Sequence, residues 1–405
     1  MTEQIPPGYK KTEIGIIPED WEVRRLGKDS IFFSGGTPNT SVKDYYKYEI
    51  PFITSSDLNK RKIKNTSSYI SRKGLIYSSA KLIERGQLLL ALYGATAGAV
   101  AISEIDGAIN QAVLAISSTM FDKYFLFYWF EKNKEYIIKT YTQGGQPNLN
   151  SHIIKNLLVT LPHLPEQRAI ARVLSDFDKL IESLDRLIEK KKLIKKGTMQ
   201  LLLTGKKRLP GFKGEWVRKK LGEVANKITM GQSPNSTYYN DKGVGLPLIQ
   251  GNADLKDSKT IKRIYTTQIT KLCKEGDMIL TVRAPVGKVA KTDFDACIGR
   301  GVCAISYEND FLFYYLKFIE NLWTKFSSGS TFDAVDSNTI KNLLIPIPSS
   351  LKEQRAIARV LSDMDAEIEA LERKKEKYEM LKKGAMQSLL TGKIRLKNAN
   401  VNKEG

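Results

Sequence analysis

Eleven consecutive residues occur twice in this chain, and that repeat limits what it can fold into more than any other feature. Glu166-Gln-Arg-Ala-Ile-Ala-Arg-Val-Leu-Ser-Asp176 returns unchanged as Glu353-Gln-Arg-Ala-Ile-Ala-Arg-Val-Leu-Ser-Asp363, 187 positions on (353 − 166). The same offset joins Lys195-Lys-Gly-Thr-Met-Gln-Leu-Leu-Leu-Thr-Gly-Lys206 to Lys382-Lys-Gly-Ala-Met-Gln-Ser-Leu-Leu-Thr-Gly-Lys393. A segment of about 40 residues is therefore present in two copies without insertion or deletion. The sequence between the copies has drifted. Such a chain is two similar halves, and its function is one performed twice.

The duplication reaches beyond these segments. Trp21-Glu-Val-Arg-Arg-Leu-Gly27 matches Trp216-Val-Arg-Lys-Lys-Leu-Gly222, Pro38-Asn39 matches Pro234-Asn235, and Ala95-Thr-Ala-Gly-Ala-Val-Ala101 matches Ala284-Pro-Val-Gly-Lys-Val-Ala290. Phe125-Leu-Phe-Tyr128 and Ile154-Lys-Asn-Leu-Leu158 recur as Phe311-Leu-Phe-Tyr314 and Ile340-Lys-Asn-Leu-Leu344. The offset wanders, so loops differ in length while the framework persists.

The repeated segments have helical periodicity. Ile170, Leu174, Phe177, Ile181, Leu184 and Ile188 are spaced 4, 3, 4, 3, 4. Ile357, Leu361, Met364, Ile368 and Leu371 repeat that spacing, with Tyr378 one heptad further. Strict alternation of fours and threes is the seam of a coiled coil; the plainer alternative is a stripe packed on its own domain. One lysine sits in each seam, Lys191 and Lys375, where it can fix register. Pro165 before the first helix, and Thr204-Gly205 and Thr391-Gly392 after the two helices, are start and stop signals. A helix over 166–203 spans about 57 Å, and a link of only about a dozen residues joins Thr204 to Trp216. A link that short suits an antiparallel pair, because a parallel one would send the chain back along the helix.

Each helix follows a globular part, at about 1–160 and 207–348. Those parts mix short apolar runs (Pro51 to Thr54, Leu88 to Leu92, Met278 to Val282) with Gly, Asn and Ser turns. A helix is expected over 121–139, with a twin near 309–326. The fold class is α+β: two strand-rich globular domains separated by two long helices forming an antiparallel intramolecular coiled coil, pseudo-two-fold symmetric.

The charge of +20, from 64 Lys and Arg against 44 Asp and Glu, favours a polyanionic partner, with nucleic acid first. A generally basic proteome and an anionic membrane surface are the alternatives. No charged-then-apolar signal opens the sequence. The most apolar stretch, Leu88 to Ser103, is short and Gly-rich for a membrane span, and its counterpart carries Arg283 and Lys288. Cys273, Cys297 and Cys303 form no Cys-x-x-Cys pair and read as small buried hydrophobes in a reducing compartment. The expectation is a cytoplasmic protein with no membrane and no metal site.

Catalytic signatures are missing. His152 and His163 correspond to Asn338 and Ser350, so a chemistry shared by both halves cannot use them; both read as lining turns. No phosphate loop or dinucleotide fingerprint exists. Glu189-x-Lys191 resembles the tail of a nuclease signature but lies on the heptad helix and reads as a solvated face. The Lys195-Lys196 and Lys382-Lys383 pairs suit either a helix C-terminal dipole or phosphate contact.

What remains is a set of groups suited to binding. Candidates in the first half are Thr37, Asn39, Tyr45, Tyr46, Ser55, Lys60, Arg61, Tyr93, Asn110 and Gln111. In the second they are Gln232, Asn235, Tyr238, Tyr239, Gln250, Asn252, Arg283, Lys288 and Arg300. Arg can bridge guanine and Asn or Gln adenine in the major groove, while Lys and Tyr hold phosphates. A plain surface loop is the alternative at each position.

Taken together, these residues resemble the specificity (S) subunit of type I restriction–modification systems. The resemblance rests on the opening Gly8-Tyr-Lys-Lys-Thr-Glu-Ile-Gly-Ile-Ile-Pro-Glu-Asp-Trp21, the Ile-Lys-Asn-Leu-Leu endings, the repeated Glu-Gln-Arg-Ala-Ile-Ala helix and Gly329-Ser-Thr-Phe332. It covers essentially the whole chain. It implies target recognition domains at 1–162 and 207–349, helical regions at 163–206 and 350–396, and a tail at 397–405. Each domain would read one half of a split site in double-stranded DNA. The helices would set the gap and dock two modification (M) methyltransferase subunits, and restriction (R) subunits would join the full complex. S-adenosylmethionine, ATP and Mg would belong to those partners, leaving this chain without cofactor or catalytic residue. The halves differ at Tyr93-Gly94 against Arg283, and at Gln146-Pro-Asn148 against Thr331-Phe-Asp333, which implies different half-sites. Two other classes compete: a coiled-coil scaffold whose charge is incidental or RNA-directed, and an enzyme in its own right.

Overall fold

The computed structural model describes residues 5–142, 148–323 and 334–396. The Gly329–Phe332 motif, the Thr331–Asp333 contrast, Gln146, Pro147 and the 397–405 tail lie outside those residues. Two compact units divide the chain, one of residues 1–183 and 374–405, the other of 184–373. Each combines a globular part with a portion of both long helices.

In the first unit, the apolar run at Leu88 becomes the middle of a five-stranded sheet. The strand order is Ser30–Ser34, Val113–Ser118, Leu88–Ala91, Val100–Ser103 and Lys62–Ile63. Leu88, Leu90, Val100, Ile102, Leu114 and Ile116 point to a core shared with a helix over Lys123–Tyr141. Leu89, Ala91, Ala101, Val113 and Ala115 point to the opposite core. Both faces are covered, so the strands read as unbroken apolar runs rather than alternating ones. Tyr69–Ile70, Ile50–Ile53, Gly107–Ile109 and Lys81–Ile83 form a four-stranded sheet.

The second unit repeats this plan. Its larger sheet runs Lys227–Met230, Val302–Ser306, Met278–Thr281, Val289–Lys291, Lys259–Thr260 and Leu255–Lys256. Met278 and Leu280 face one core and Ile279 the other. The three cysteines are buried and unpaired. Burial pushes the Cys273 thiol up to about 11 and the Cys303 thiol up to about 12. The expected helix near 121–139 runs from Lys123 to Tyr141, started by the Asp122 side chain accepting from Tyr124 and Phe125. Its twin is shorter, Phe311–Phe318, and passes into a single tight turn at Glu320–Leu322. In each unit an early strand pairs with the strand leading into a long helix: Glu22–Arg25 with Leu158–Leu161, and Trp216–Lys220 with Leu344–Pro348.

The long helices span Leu164–Leu202 and Leu351–Leu389, 39 residues each. Gly205 and Gly392 follow them with φ of +70° and +74°, the left-handed turn that glycine allows after a last helical turn. Every seam residue is buried or half-buried. Within each unit the helices run antiparallel. In the first, Glu166 meets Arg395 and Asp178 meets Lys382. In the second, Lys191 meets Glu367 at 2.6 Å and Lys192 meets Glu372 at 2.8 Å. The seam lysine Lys191 thus finds an acid on the facing helix, while Lys375 has Glu379 one turn along its own. No helix among the described residues is long and apolar enough to cross a membrane.

Candidate nucleic-acid interface

In both units the candidate loops gather at one end of the paired sheets. Register explains the gathering. Parallel pairing sets Ile53 beside Ile109 in the first unit and Ile249 beside Ile298 in the second. The residues that follow, Thr54 and Asn110, or Gln250 and Gly299, therefore leave the sheet together. The loop after the first sheet strand packs onto them. A Cβ on Gly35 would lie 1.8 Å from the Ile109 carbonyl oxygen, and one on Gly231 2.1 Å from that of Gly299. Only glycine admits this approach.

The first-unit loops are tied by their own side chains. Thr37 Oγ1 donates to Gln111 Oε1 at 2.7 Å, and Tyr46 Oη donates to the Pro38 carbonyl at 2.6 Å. Asn39 and Asn110 accept from the backbone N–H groups of Ser41 and Ala112. Tyr45 stacks on Tyr77, Ser55 opens the turn after Ile53, and half-buried Tyr93 packs on the main core. Burial raises the Tyr46 phenol above its ordinary value.

The second unit uses the same scaffold with different tips. Tyr239 Oη donates to the Pro234 carbonyl at 2.9 Å, repeating Tyr46, and accepts from Gln250 Nε2 at 2.7 Å. Asn235 Oδ1 accepts from the Thr237 N–H, and Ser233 Oγ accepts from the Arg300 N–H. Tyr239, Gln250, Arg283 and Arg300 line one open cleft of about 550 Å³. Gln232, Tyr238 and Asn252 are exposed in the surrounding loops.

Three candidates are occupied elsewhere. Arg61 has φ +57° and turns inward, away from the exposed Lys60. Its guanidinium grips both oxygens of Glu131, at 2.5 and 2.8 Å, and both of Asp178, at 2.8 and 2.9 Å. Lys60 lies 3.3 Å from Asn65 Oδ1, and Lys288 lies 3.5 Å from Glu320. The basic run Lys60-Arg61-Lys62 in sequence is thus not a basic patch in space: Arg61 fastens the globular part to the first long helix.

The lysine pairs at the helix ends also differ from expectation. Lys195 and Lys382 lie inside their helices rather than at the C-termini. Lys382 reaches Asp178 at 2.7 Å, and Lys195 is hydrogen-bonded to Asp365. Antiparallel pairing puts each acid opposite the lysine of the other helix. His152 is exposed within a short helix, Ser151–Asn156, rather than in a turn; the His163 carbonyl accepts from Glu166 and Gln167 at the helix start.

The repeat hides a second clamp that sequence reasoning missed. Buried Glu166 accepts from Trp21 Nε1 at 3.0 Å and from Arg395 at 2.8 Å. Glu353 holds Arg208 through two bonds and lies 3.4 Å from Trp216 Nε1. Burial pushes the Glu166 carboxyl up, but bonds from Arg395, Trp21 and the Leu396 N–H outweigh it and hold the group below its usual range. Gln167 and Gln354 bind the carbonyls of Pro162 and Pro348. The signal was available: Arg208-Leu209 and Arg395-Leu396 obey the same 187-residue offset (395 − 208).

No group of three or more His, Cys, Asp or Glu able to hold a metal occurs among the described residues. Set against known proteins, a model of the type I restriction modification DNA specificity domain matches residues 18–192 and again 213–380. The putative type I restriction enzyme MjaX specificity subunit of Methanocaldococcus jannaschii is 34% identical over 414 residues, covering 96% of this chain and 97% of that protein. The MjaVIII specificity subunit of the same organism is 28% identical, covering 95% of each. A type I restriction–modification S subunit from M. genitalium shares the fold at TM-score 0.62 and 15% identity, over 91% of this chain and 96% of that one. A chain from a structure concerned with assembly and conformational transition of a type I R-M system matches at TM-score 0.59 and 24% identity, over 93% and 99%. With both halves matched by one domain model and a relative aligned along nearly its whole length, the chain belongs to the type I restriction–modification DNA specificity family.

Proposed function

We propose that this chain is the non-catalytic subunit that reads an asymmetric, bipartite site in double-stranded DNA, one half-site per globular domain. The carrying observation is the duplicated loop platform. The same Gly, Pro and Tyr framework supports it in both units, while the tips differ: half-buried Tyr93 and exposed Gln111 in one, exposed Arg283 and Arg300 in the other. A shared scaffold with unlike tips suits two unlike half-sites. Base edges are read by such side chains, and the surplus of lysine and arginine supplies sequence-independent attraction to phosphate.

The long helices offer the docking surface for two M subunits. Leu193 and Ile194 are 67% and 46% exposed, and their repeats Met380 and Leu381 are 70% and 47% exposed. Exposed apolar pairs at matching helix positions fit a partner bound twice. R subunits complete the assembly. S-adenosylmethionine, ATP and Mg act in those partners, and the complex works in the cytoplasm.

Mapping methylated adenines genome-wide, with and without this gene, tests the reading. A split motif that vanishes on deletion supports it; an unchanged methylome sinks it. The purified complex should also lose affinity with a slope of about −0.9 per phosphate neutralised in log salt.

A further inference from the structure

The second unit presents two arginines in one cleft. Antiparallel register pairs Thr281 with Val302, and the Val282 N–H continues it by donating to the Gly301 carbonyl at 2.9 Å. Arg283 follows that strand, and Arg300 stands in the tight turn before Val302, closed by the Val302 N–H donating to the Gly299 carbonyl at 3.1 Å. Both side chains are exposed in the cleft that Gln250 and Tyr239 also line, and neither guanidinium has a hydrogen-bond or ion-pair partner among the described residues. Like charges gathered in one cleft repel each other. This pair has no compensating acid and is held in place by Gly301, where a Cβ would lie 2.1 Å from the Gln250 carbonyl oxygen.

In the first unit, Val113 pairs with Ala91 and the Leu92 N–H donates to the Ala112 carbonyl; the corresponding positions, after the strand and in the turn before Val113, are Tyr93 and Gln111. Tyr93 and Gln111 carry no cation, and Gln111 Oε1 already accepts from Thr37.

Resting on the reading of the chain as a DNA-recognition subunit, we propose that Arg283 and Arg300 read guanine at two positions of the second domain's half-site, and that the first domain's half-site carries no equivalent guanine requirement. A planar guanidinium matches guanine O6 and N7 with two parallel bonds, while adenine offers an N6 donor at the same edge. A phosphate would need no such convergence of two arginines beside an amide-bearing Gln250.

The test is binding selection from a random-sequence duplex pool by the full chain assembled with its M subunits, followed by sequencing. Wild type and the variants Arg283→Gln and Arg300→Gln are compared; both sites are exposed, so the fold is retained. The expected result is a split motif in which each variant loses preference for guanine at one position of one half-site, by about 5- to 150-fold, with the other half-site unchanged. Guanine preference untouched in both variants overturns the assignment. So does uniform weakening across all sequences, which marks phosphate contacts. A wild-type selection that enriches no motif overturns the recognition reading itself, and this assignment with it. As a second readout, 7-deazaguanine at the two positions should weaken wild-type binding and leave the matching variant indifferent.

Discussion

The two units fasten their globular parts to the helices with the same three groups and different outer partners. In the first, Tyr128 Oη donates to Asp178 at 2.6 Å, and Lys382 crosses from the other helix to the same carboxylate. In the second, Tyr314 donates to Asp365 at 3.0 Å, and Lys195 crosses over. Around this common core the charges diverge. The first unit adds the Arg61–Glu131 pair; the second has Ser258 in the place of Arg61, also at positive φ, and Lys317 in the place of Glu131, joined at 2.6 Å. The first arrangement balances two cations against two anions. The second holds Lys317 and Lys195 near one carboxylate, and burial together with the Lys195 charge lowers the Lys317 ammonium below its ordinary value. The lesson is that Asp, Tyr and Lys hold the frame, while each globular part brings its own second layer.

The largest effect should come from removing the shared acid where it is deepest. Asp178 has 9% side-chain exposure and Asp365 43%. Asp178→Ala leaves Arg61 and Lys382 without their buried partner and should cost about 3–5 kcal/mol. Asp365→Ala should cost about 1–2 kcal/mol. Denaturant unfolding of both variants ranks them, and equal losses would break the contrast.

A smaller effect sharpens the second layer. Glu131→Lys puts a third cation around Asp178 and should destabilise by about 2 kcal/mol. Adding Arg61→Ser recreates the second unit's set and should recover at least half of that loss, read as coupling in a double-mutant cycle. No recovery would mean that the two layers are not interchangeable.

Acid should act on the first unit through Asp178 and Glu166. Burial raises the Asp178 carboxyl, but bonds from Arg61, Lys382 and Tyr128 outweigh it and bring it below the ordinary value. Depressed carboxyls stabilise the fold fully above their unfolded values, near about 4. That contribution is lost as pH falls through the lower folded values. Thermal scans of wild type against Asp178→Asn should show a shallower acid limb in the variant. The smallest change belongs to the exposed rim: Lys288→Ala, which loses a 3.5 Å pair with Glu320, should alter stability by under about 0.5 kcal/mol.

How much of this was legible depended on sequence distance. The seam from Ile170 to Ile188 was readable because periodicity is local, and so were the glycine stops at Gly205 and Gly392. The covered sheet was visible at Leu88 to Leu92 as an unbroken apolar run. The clamps were not, because Trp21 and Glu166 meet across 145 positions and Glu166 and Arg395 across 229, and only the repeat offset links them. Arg61 misled because composition cannot say which way a side chain turns, and one left-handed residue aimed it inward. The candidate cleft was half legible: Arg283 and Arg300 stood out as residue types, but only the folded turn before Val302 brings them into one cleft.

Arg395 has one more consequence, for biosynthesis. It belongs to the unit that begins with the first residues of the chain, as do Leu389 and Leu390, which pack into the core around Trp21. The first domain therefore cannot close while the ribosome is still making the second, although N-terminal domains ordinarily fold first during synthesis. Glu166 and Trp21 await an arginine that lies beyond the whole second domain in the chain. A chain cut short by premature termination lacks that latch in the half made earliest, so both recognition domains are finished together or the first stays open.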